Sequence, residues 1–326
     1  MAPLVSILIP CYNAEPWLAQ TVESALAQSW PNAELIVVDD GSTDNSLEVA
    51  RSFESRGVTV IAQEDQGACA ARNRALEEAQ GDFIQFLDAD DLLAPNKIEV
   101  QMQRLRSERG GTVAAAPWER FYKTPGDYES PNDSYESWSD FEDPLDWLLL
   151  SARGRTMMPL HGWLTPWSLI EKAGRWNERL VLNQDGEYFA RVLLEADKIA
   201  FCPDTKAFYR TVREGVSARS SCAKWQSFLR SWQLIYEHVS SERNGPDVRR
   251  SFAALYKRTA YGTYPQYPKI SRVAENRANE LWDVDWKFPQ KSFPVRLVIR
   301  TLGWKAARWI QSKYRGVVYS YLGSNA

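Results

Sequence analysis

Four short apolar runs early in the chain, each followed by a stretch of helical period, restrict its fold more than any other feature. The runs cover residues 5–9, 34–38, 58–61 and 83–87, and three of them lead directly into Pro10, Asp39 and Asp88. Runs this short and this apolar suit strands buried on both faces. Between them, residues 16–28 place Trp17, Leu18, Val22, Ala25 and Leu26 on one side of a helix. Residues 44–55, 67–80 and 95–106 follow the same plan behind Ser, Thr, Gly or Pro start signals. Strand, helix, strand, helix predicts an α/β fold with a mostly parallel, Rossmann-like sheet covered by helices. Ligands of such sheets bind beyond the carboxyl ends of the strands. Pro10, Asp39, Asp40 and residues 88–91 all fall there.

Composition removes several alternatives. With 326 residues, 44% hydrophobic and 25% charged, the chain can build one large core or two modest ones. Cys11, Cys69, Cys202 and Cys222 show no Cys-x-x-Cys spacing, and only His161 and His238 are available to join them. Neither a zinc site nor a disulfide framework is expected, and the cysteine usage fits a reducing cytoplasm. No run approaches the ~20 apolar residues of a membrane span. Residues 1–10 lack a basic leader and read as a first strand, not as a signal peptide.

Asp88-Ala89-Asp90-Asp91 sets three carboxylates within four residues at a strand end. They repel one another unless a cation or a set of donors compensates them. In extended geometry Asp88 and Asp90 project to one side, which suits a hard divalent cation shared with phosphate oxygens. A solvated turn with Asp91 as helix cap is the alternative. A second acidic strand end, Asp39-Asp40-Gly41-Ser42-Thr43-Asp44, offers a carboxylate acceptor for a nucleobase N–H ahead of a capped helix.

These residues resemble the inverting glycosyltransferases of family 2, which have the GT-A fold. The resemblance rests on Val5-Ser6-Ile7-Leu8-Ile9-Pro10-Cys11-Tyr12-Asn13, Ile36-Val37-Val38-Asp39-Asp40-Gly41-Ser42-Thr43-Asp44, Gly67-Ala68-Cys69-Ala70-Ala71-Arg72-Asn73-Arg74-Ala75 and Phe86-Leu87-Asp88-Ala89-Asp90-Asp91. It implies a donor site for a nucleotide-sugar, UDP first among the candidates. Pro10, Tyr12 and Asn13 would line the base and ribose pocket, Asp40 with Asp39 would bind the base, and Arg72 would lie near the base or diphosphate. Asp88 and Ala89 would approach the ribose, and Asp90, with Asp88, would hold Mg or Mn. Cys11 and Cys69 read as core fillers.

The acceptor hydroxyl also needs a base. In the family this is the second acid of a pair before a helix, which matches Asp185; the first position is Gln184, a departure that leaves Glu187 as an alternative. A capping role for Asp185 is the competing reading. Relatives often carry a metal-ligating His where this chain has Val212, so Arg210 or Arg213 is a candidate for meeting phosphate charge. Residues 118–158 lack a clean period and read as a long loop beside the acceptor site. Trp163, Trp167 and Trp176 suit packing first and sugar stacking second. The expected division is 1–117 for the donor half, 118–220 for the acceptor and catalytic-base half, and 221–326 for a helical C-terminal extension.

Eight of the 39 basic residues follow Asp285, after which no acid occurs; the remaining 31 face 42 acids, a body near −11 and a tail near +8. Residues 294–321 combine that charge with an apolar helical stripe. This points either to peripheral docking on the inner, anionic face of a membrane, where a carbohydrate or lipid-linked acceptor would be met, or to packing on the acidic body. Nucleic acid does not suit an acidic body. Without Gly-x-Gly-x-x-Gly after the first strand a dehydrogenase is a weaker rival, and the basic Gly-rich loop a nucleotidyltransferase would need is missing there. Neither membrane spans nor Gln-x-x-Arg-Trp point to a processive polymerase. The expected reaction is inverting transfer in polysaccharide or glycoconjugate biosynthesis; the rival is a catalytically silent nucleotide-sugar-binding scaffold.

Overall fold

The computed structural model describes residues 2–108, 110–128, 135–154, 156–212, 221–283 and 293–322, and for 293–296 and 314–322 the backbone alone. Strand β1 (Val5–Cys11) leads to helix α1 (Glu15–Leu26), then β2 (Ala33–Asp40), α2 (Ser46–Arg51), β3 (Val58–Gln63), α3 (Ala68–Glu78) and β4 (Phe83–Phe86). The short strand β5 (Leu92–Leu93) precedes α4 (Lys97–Arg106), β6 (Thr112–Ala115), β7 (Trp118–Phe121), α5 (Pro144–Ala152), β8 (Trp163–Pro166), α6 (Trp167–Ala173) and α7 (Gln184–Leu194). After β9 (Lys198–Phe201) and β10 (Ala207–Arg210) the chain is helical: α8 (Cys222–Glu242), α9 (Pro246–Thr263), α10 (Pro268–Leu281) and α11 (Phe293–Leu322).

The main sheet has the order β3-β2-β1-β4-β8-β6-β9. Leu8 of β1 faces Ile36 of β2 and Phe86 of β4 in parallel register. After β3 the chain crosses to the other side of β1, so the strand order reverses between β1 and β4. That reversal opens a crevice at their carboxyl ends. Every residue of β1 is buried, because helices cover both faces. Period-2 alternation divides its side chains between two cores: Leu8 joins Ile36, Phe86 and Ala71, while Ile7 and Ile9 join Val37, Leu18 and Val22. The expected α/β architecture is therefore present, with a helical C-terminal region.

A second sheet, β5-β10-β7, is small and sets Arg210 beside the end of β4. It also corrects one expectation, since residues 118–158 contain β7 and α5 where a long loop was read. Helix α5 shows no period because it is apolar nearly all round: Leu145, Trp147, Leu148, Leu149 and Ala152 are buried. Asp143 caps it by accepting from the Leu145 N–H at 2.9 Å. Helix α10 was not anticipated, because its buried face is made of Ile270, Ser271, Ala274 and Ala278, and small residues leave little hydrophobic signal. Cys11, Cys69 and Cys202 are buried free thiols and Cys222 is exposed, as the spacing suggests. Burial raises the Cys11 thiol to about 12 and Cys69 to about 11, so both stay protonated fillers.

Candidate active site

The loops after β1 and β2 are fastened to each other. Asn13, in the left-handed region at φ 48°, accepts at Oδ1 from the Thr43 N–H at 2.8 Å, and its own N–H donates to Ser42 Oγ at 3.0 Å. Its side chain thus serves as a tie between loops. Pro10 is buried at the end of β1, and Tyr12 projects from it, 49% exposed.

Asp39 and Asp40 have different surroundings. Asp40 accepts from Gln63 Nε2 at 2.7 Å and from the backbone N–H groups of Gln66 at 3.0 Å and Gly67 at 2.8 Å. Gly67 sits at φ 91°, a conformation only glycine adopts cheaply, and this aims its N–H at the carboxylate as α3 begins. Both oxygens of Asp40 are therefore occupied in holding the β3–α3 loop. Asp39 accepts from the Ser42 N–H at 3.1 Å through Oδ2, while its Oδ1 is buried and without a hydrogen-bond partner among the described residues. The sequence placed Asp40 first for the base; of the two, Asp39 is the one that keeps a buried oxygen without a partner among the described residues.

Arg72, on the buried side of α3, lies over the Trp176 ring at 4.6 Å. It donates through Nη2 to Asp88 Oδ1 at 2.8 Å and through Nη1 to Gln184 Oε1 at 3.0 Å. The arginine thus joins the end of β4 to the start of α7. Trp176 in turn stacks on Tyr188 at 4.0 Å. Trp163 and Trp176 are each 2% exposed and Trp167 packs against the core, so the tryptophans are packing residues.

In Asp88-Ala89-Asp90-Asp91 each residue has a separate fate. Ala89 is buried and its carbonyl accepts from Thr21 Oγ1 at 2.9 Å. Asp91 is buried; it accepts from the Arg210 N–H at 2.7 Å, and its Oδ2 lies 3.0 Å from His161 Nδ1. It is not a solvated cap. Asp90 receives no donor from another side chain among the described residues. Burial, reinforced by Asp91 and Asp88 and opposed by its own N–H and Arg210, raises its carboxyl to about 8. Arg210 itself faces inward, donating to the Asp90 carbonyl at 2.6 Å, the Tyr122 carbonyl at 3.0 Å and Gln20 Oε1 at 2.6 Å. Its donors are thus used within the protein, as a brace between loops, and Arg213 lies outside the described residues.

Asp185 lies in the first turn of α7, behind Asn183 as the flanking residue, so it is not the cap. Burial raises its carboxyl above the usual range, with Arg72 opposing and Asp88 adding to the effect. Glu187 is closed off as a substitute base: it is buried, and Arg191 holds it by Nε at 2.9 Å and Nη2 at 3.0 Å.

Sequence reading missed the polar layer behind β4. Lys97, fully buried, donates to Gln85 Oε1 and Gln101 Oε1, each at 2.6 Å. Gln85 reaches the His161 carbonyl at 3.2 Å, and Gln101 the Gly162 carbonyl at 3.1 Å. The layer thereby supports the turn that sets His161 against Asp91. Its members come from distant parts of the chain, and no local pattern joins them.

Among the described residues no group of three His, Cys, Asp or Glu side chains converges as a ready-made metal nest. What the site offers is Asp90, a carboxyl with no side-chain donor among the described residues, beside the ion-paired Asp88. That donor set suits a divalent cation whose remaining ligands come from a diphosphate.

Residues 6–158 match the family model for glycosyl transferase family 2. Glycosyltransferase GlyG of Streptococcus pneumoniae is 30% identical over 253 residues, 74% of this chain and 80% of that protein. Other curated relatives are matched over only 41% of their own length; among them is the UDP-Glc:alpha-D-GlcNAc-diphosphoundecaprenol beta-1,3-glucosyltransferase WfgD of Escherichia coli, 42% identical over 103 residues, 31% of this chain. Residues 1–349 of TarS from S. aureus, solved with UDP-GlcNAc, superpose with a TM-score of 0.58 at 18% identity over 85% of this chain and 90% of that one.

Proposed function

The chain belongs to glycosyl transferase family 2 and has its GT-A fold, and from that premise we propose that it transfers a sugar from a UDP-sugar to a hydroxyl of a carbohydrate or lipid-linked acceptor, with inversion. WfgD, by its name, uses UDP-Glc and a diphosphoundecaprenol-linked sugar, and TarS binds UDP-GlcNAc; these relatives support the donor class and a role in polysaccharide or glycoconjugate biosynthesis. The observation that carries the reading is the placement of Asp90, which receives no donor from another side chain among the described residues, beside the Asp88–Arg72–Gln184 chain that leads to Asp185.

In this reading Asp39 Oδ1 accepts the N–H of the base, with Pro10 and Tyr12 beside the ring. Arg72 orients Asp88 toward the ribose and lends positive charge near the diphosphate. Asp90, with Asp88, would hold Mg or Mn; when bound, the ion would neutralise charge on the departing diphosphate, which then needs no general acid. Asp185 takes the proton of the acceptor hydroxyl. Its raised pKa makes it a stronger base than an exposed aspartate, and the charge of Arg72 beside it favours the ionised form. A single displacement by the acceptor oxygen inverts the anomeric centre.

Calorimetric titration of UDP, GDP and dTDP with and without Mn tests this on the parent and on Asp90→Ala. Metal-dependent binding of UDP that the substitution abolishes is expected. If none of the nucleotides binds with either Mg or Mn, the donor reading fails. Asp185→Asn should keep donor binding and lose roughly 10²–10⁴-fold in transfer rate; a parent that binds donor yet turns over no better than this variant would favour the silent scaffold.

A further inference from the structure

Helix α11 is interrupted at Gly303, where φ is 81° and ψ 165°. Beyond the break, Trp304, Ala307, Arg308 and Gln311 recur at helical spacing and face the body. The Trp304 ring packs against Tyr261 at 5.9 Å and Tyr264 at 5.6 Å. Ala307 is buried, Arg308 donates to the Tyr261 carbonyl at 3.1 Å, and Gln311 accepts from the Tyr261 hydroxyl at 3.4 Å. Lys305 adds an ion pair to Glu275 of α10 at 2.6 Å. One side of the helix is thus anchored.

The other side presents apolar groups to solvent. Trp309 is 50% exposed and Ile310 42%, and before the break Leu297 and Leu302 are 51% and 68% exposed. Lys313, one turn on from Trp309, lies with Nζ 5.8 Å from that ring, and Arg300 is also exposed. No acid follows Asp285, and eight basic residues do. Beyond Gly303, the two readings of this segment, packing and docking, therefore belong to opposite faces of the helix.

We propose that the outward face of α11 docks on an anionic phospholipid bilayer. Trp309 and Ile310 would enter the headgroup boundary, with Lys313 meeting lipid phosphate. Indole and aliphatic groups beside a basic one, on a helix whose other face is anchored to the body, are what an interfacial helix requires. Charge selects the lipid. The acidic body is repelled by an anionic surface, so the basic tail is the part that approaches, and each basic residue near such a surface contributes about 1 kcal/mol. The inference stands on the helix and not on the donor reading.

Co-sedimentation of the full chain with phosphatidylglycerol-containing vesicles, and with pure phosphatidylcholine, tests it. The parent should pellet with the anionic vesicles at low salt and be released at high salt. Trp309→Glu and Ile310→Glu should each lower the partition by roughly ten-fold or more, and Lys313→Gln by roughly five-fold. Val273→Glu, which alters an exposed apolar residue of α10, should change nothing. Thermal unfolding and UDP titration of the same preparations report folding and the donor reading separately. Equal partition of the parent into both vesicle types overturns the proposal. So does a concentration-dependent dimer that Trp309→Glu abolishes, because the face would then belong to a second copy of the chain.

Discussion

Asp39 and Asp40 are neighbours of the same type, both 2% exposed, and only their partners tell them apart. Asp40 gathers three donors onto one loop, whereas Asp39 keeps a buried oxygen unpaired. An unpaired buried acceptor is costly, and a ligand N–H would relieve it. Asp40→Ala should therefore destabilise the fold by about 3 kcal/mol, since it strands buried N–H groups that were bonded to a charge. Asp39→Asn should leave the melting temperature nearly unchanged and weaken UDP binding at least ten-fold. Thermal unfolding and calorimetry on the two variants decide the matter; a UDP affinity unchanged in Asp39→Asn would remove Asp39 from the donor site. The motif was legible in the sequence, but not the division of labour within it, because identical adjacent residues differ only in what the fold brings near them. His161 was harder still: it meets Asp91 from seventy positions away, with no spacing rule to find it.

At the scale of elements, buried strands with large apolar residues were legible, and helices buried through small residues or on every side were not. The polar layer that joins β4, α4 and the 160–162 turn escaped for another reason, the distance in sequence between its members, and its centre is Lys97. Burial draws the ammonium down from 10.5 to about 7. Between those values the unfolded chain holds a proton that the folded chain has released. Stability therefore rises with pH across that window and is lost as pH falls back through 7. Asp90 acts in the opposite sense below its own raised pKa of about 8, so the parent is best compared with a variant that keeps Asp90. Lys97→Met removes the Lys97 contribution, and the difference in unfolding free energy between the two should change by up to about 1.4 kcal/mol per pH unit above neutrality. Urea unfolding at several pH values between about 7 and 9 measures it. A constant difference would mean that Lys97 stays charged inside the fold.

For the whole molecule, the helical region after β10 is attached through apolar helix faces, while the charge of the chain is divided between an acidic body and a basic tail. Removing residues 293–326 uncovers Tyr261 and Tyr264, which Trp304 packs against, a contact that lies away from the candidate donor site. The shortened protein should melt a few degrees lower and bind UDP within about two-fold of the parent; a larger loss would place the tail in the donor site. The small sheet has a different reach. Arg210 ties the backbone of Asp90 to the carbonyls of Tyr122 and Lys123 and to Gln20, so a remodelled 122–128 segment pulls on the aspartate loop as well. Donor affinity and whatever that aromatic segment recognises are then inherited together, and a designer who changes one should expect to retune the other.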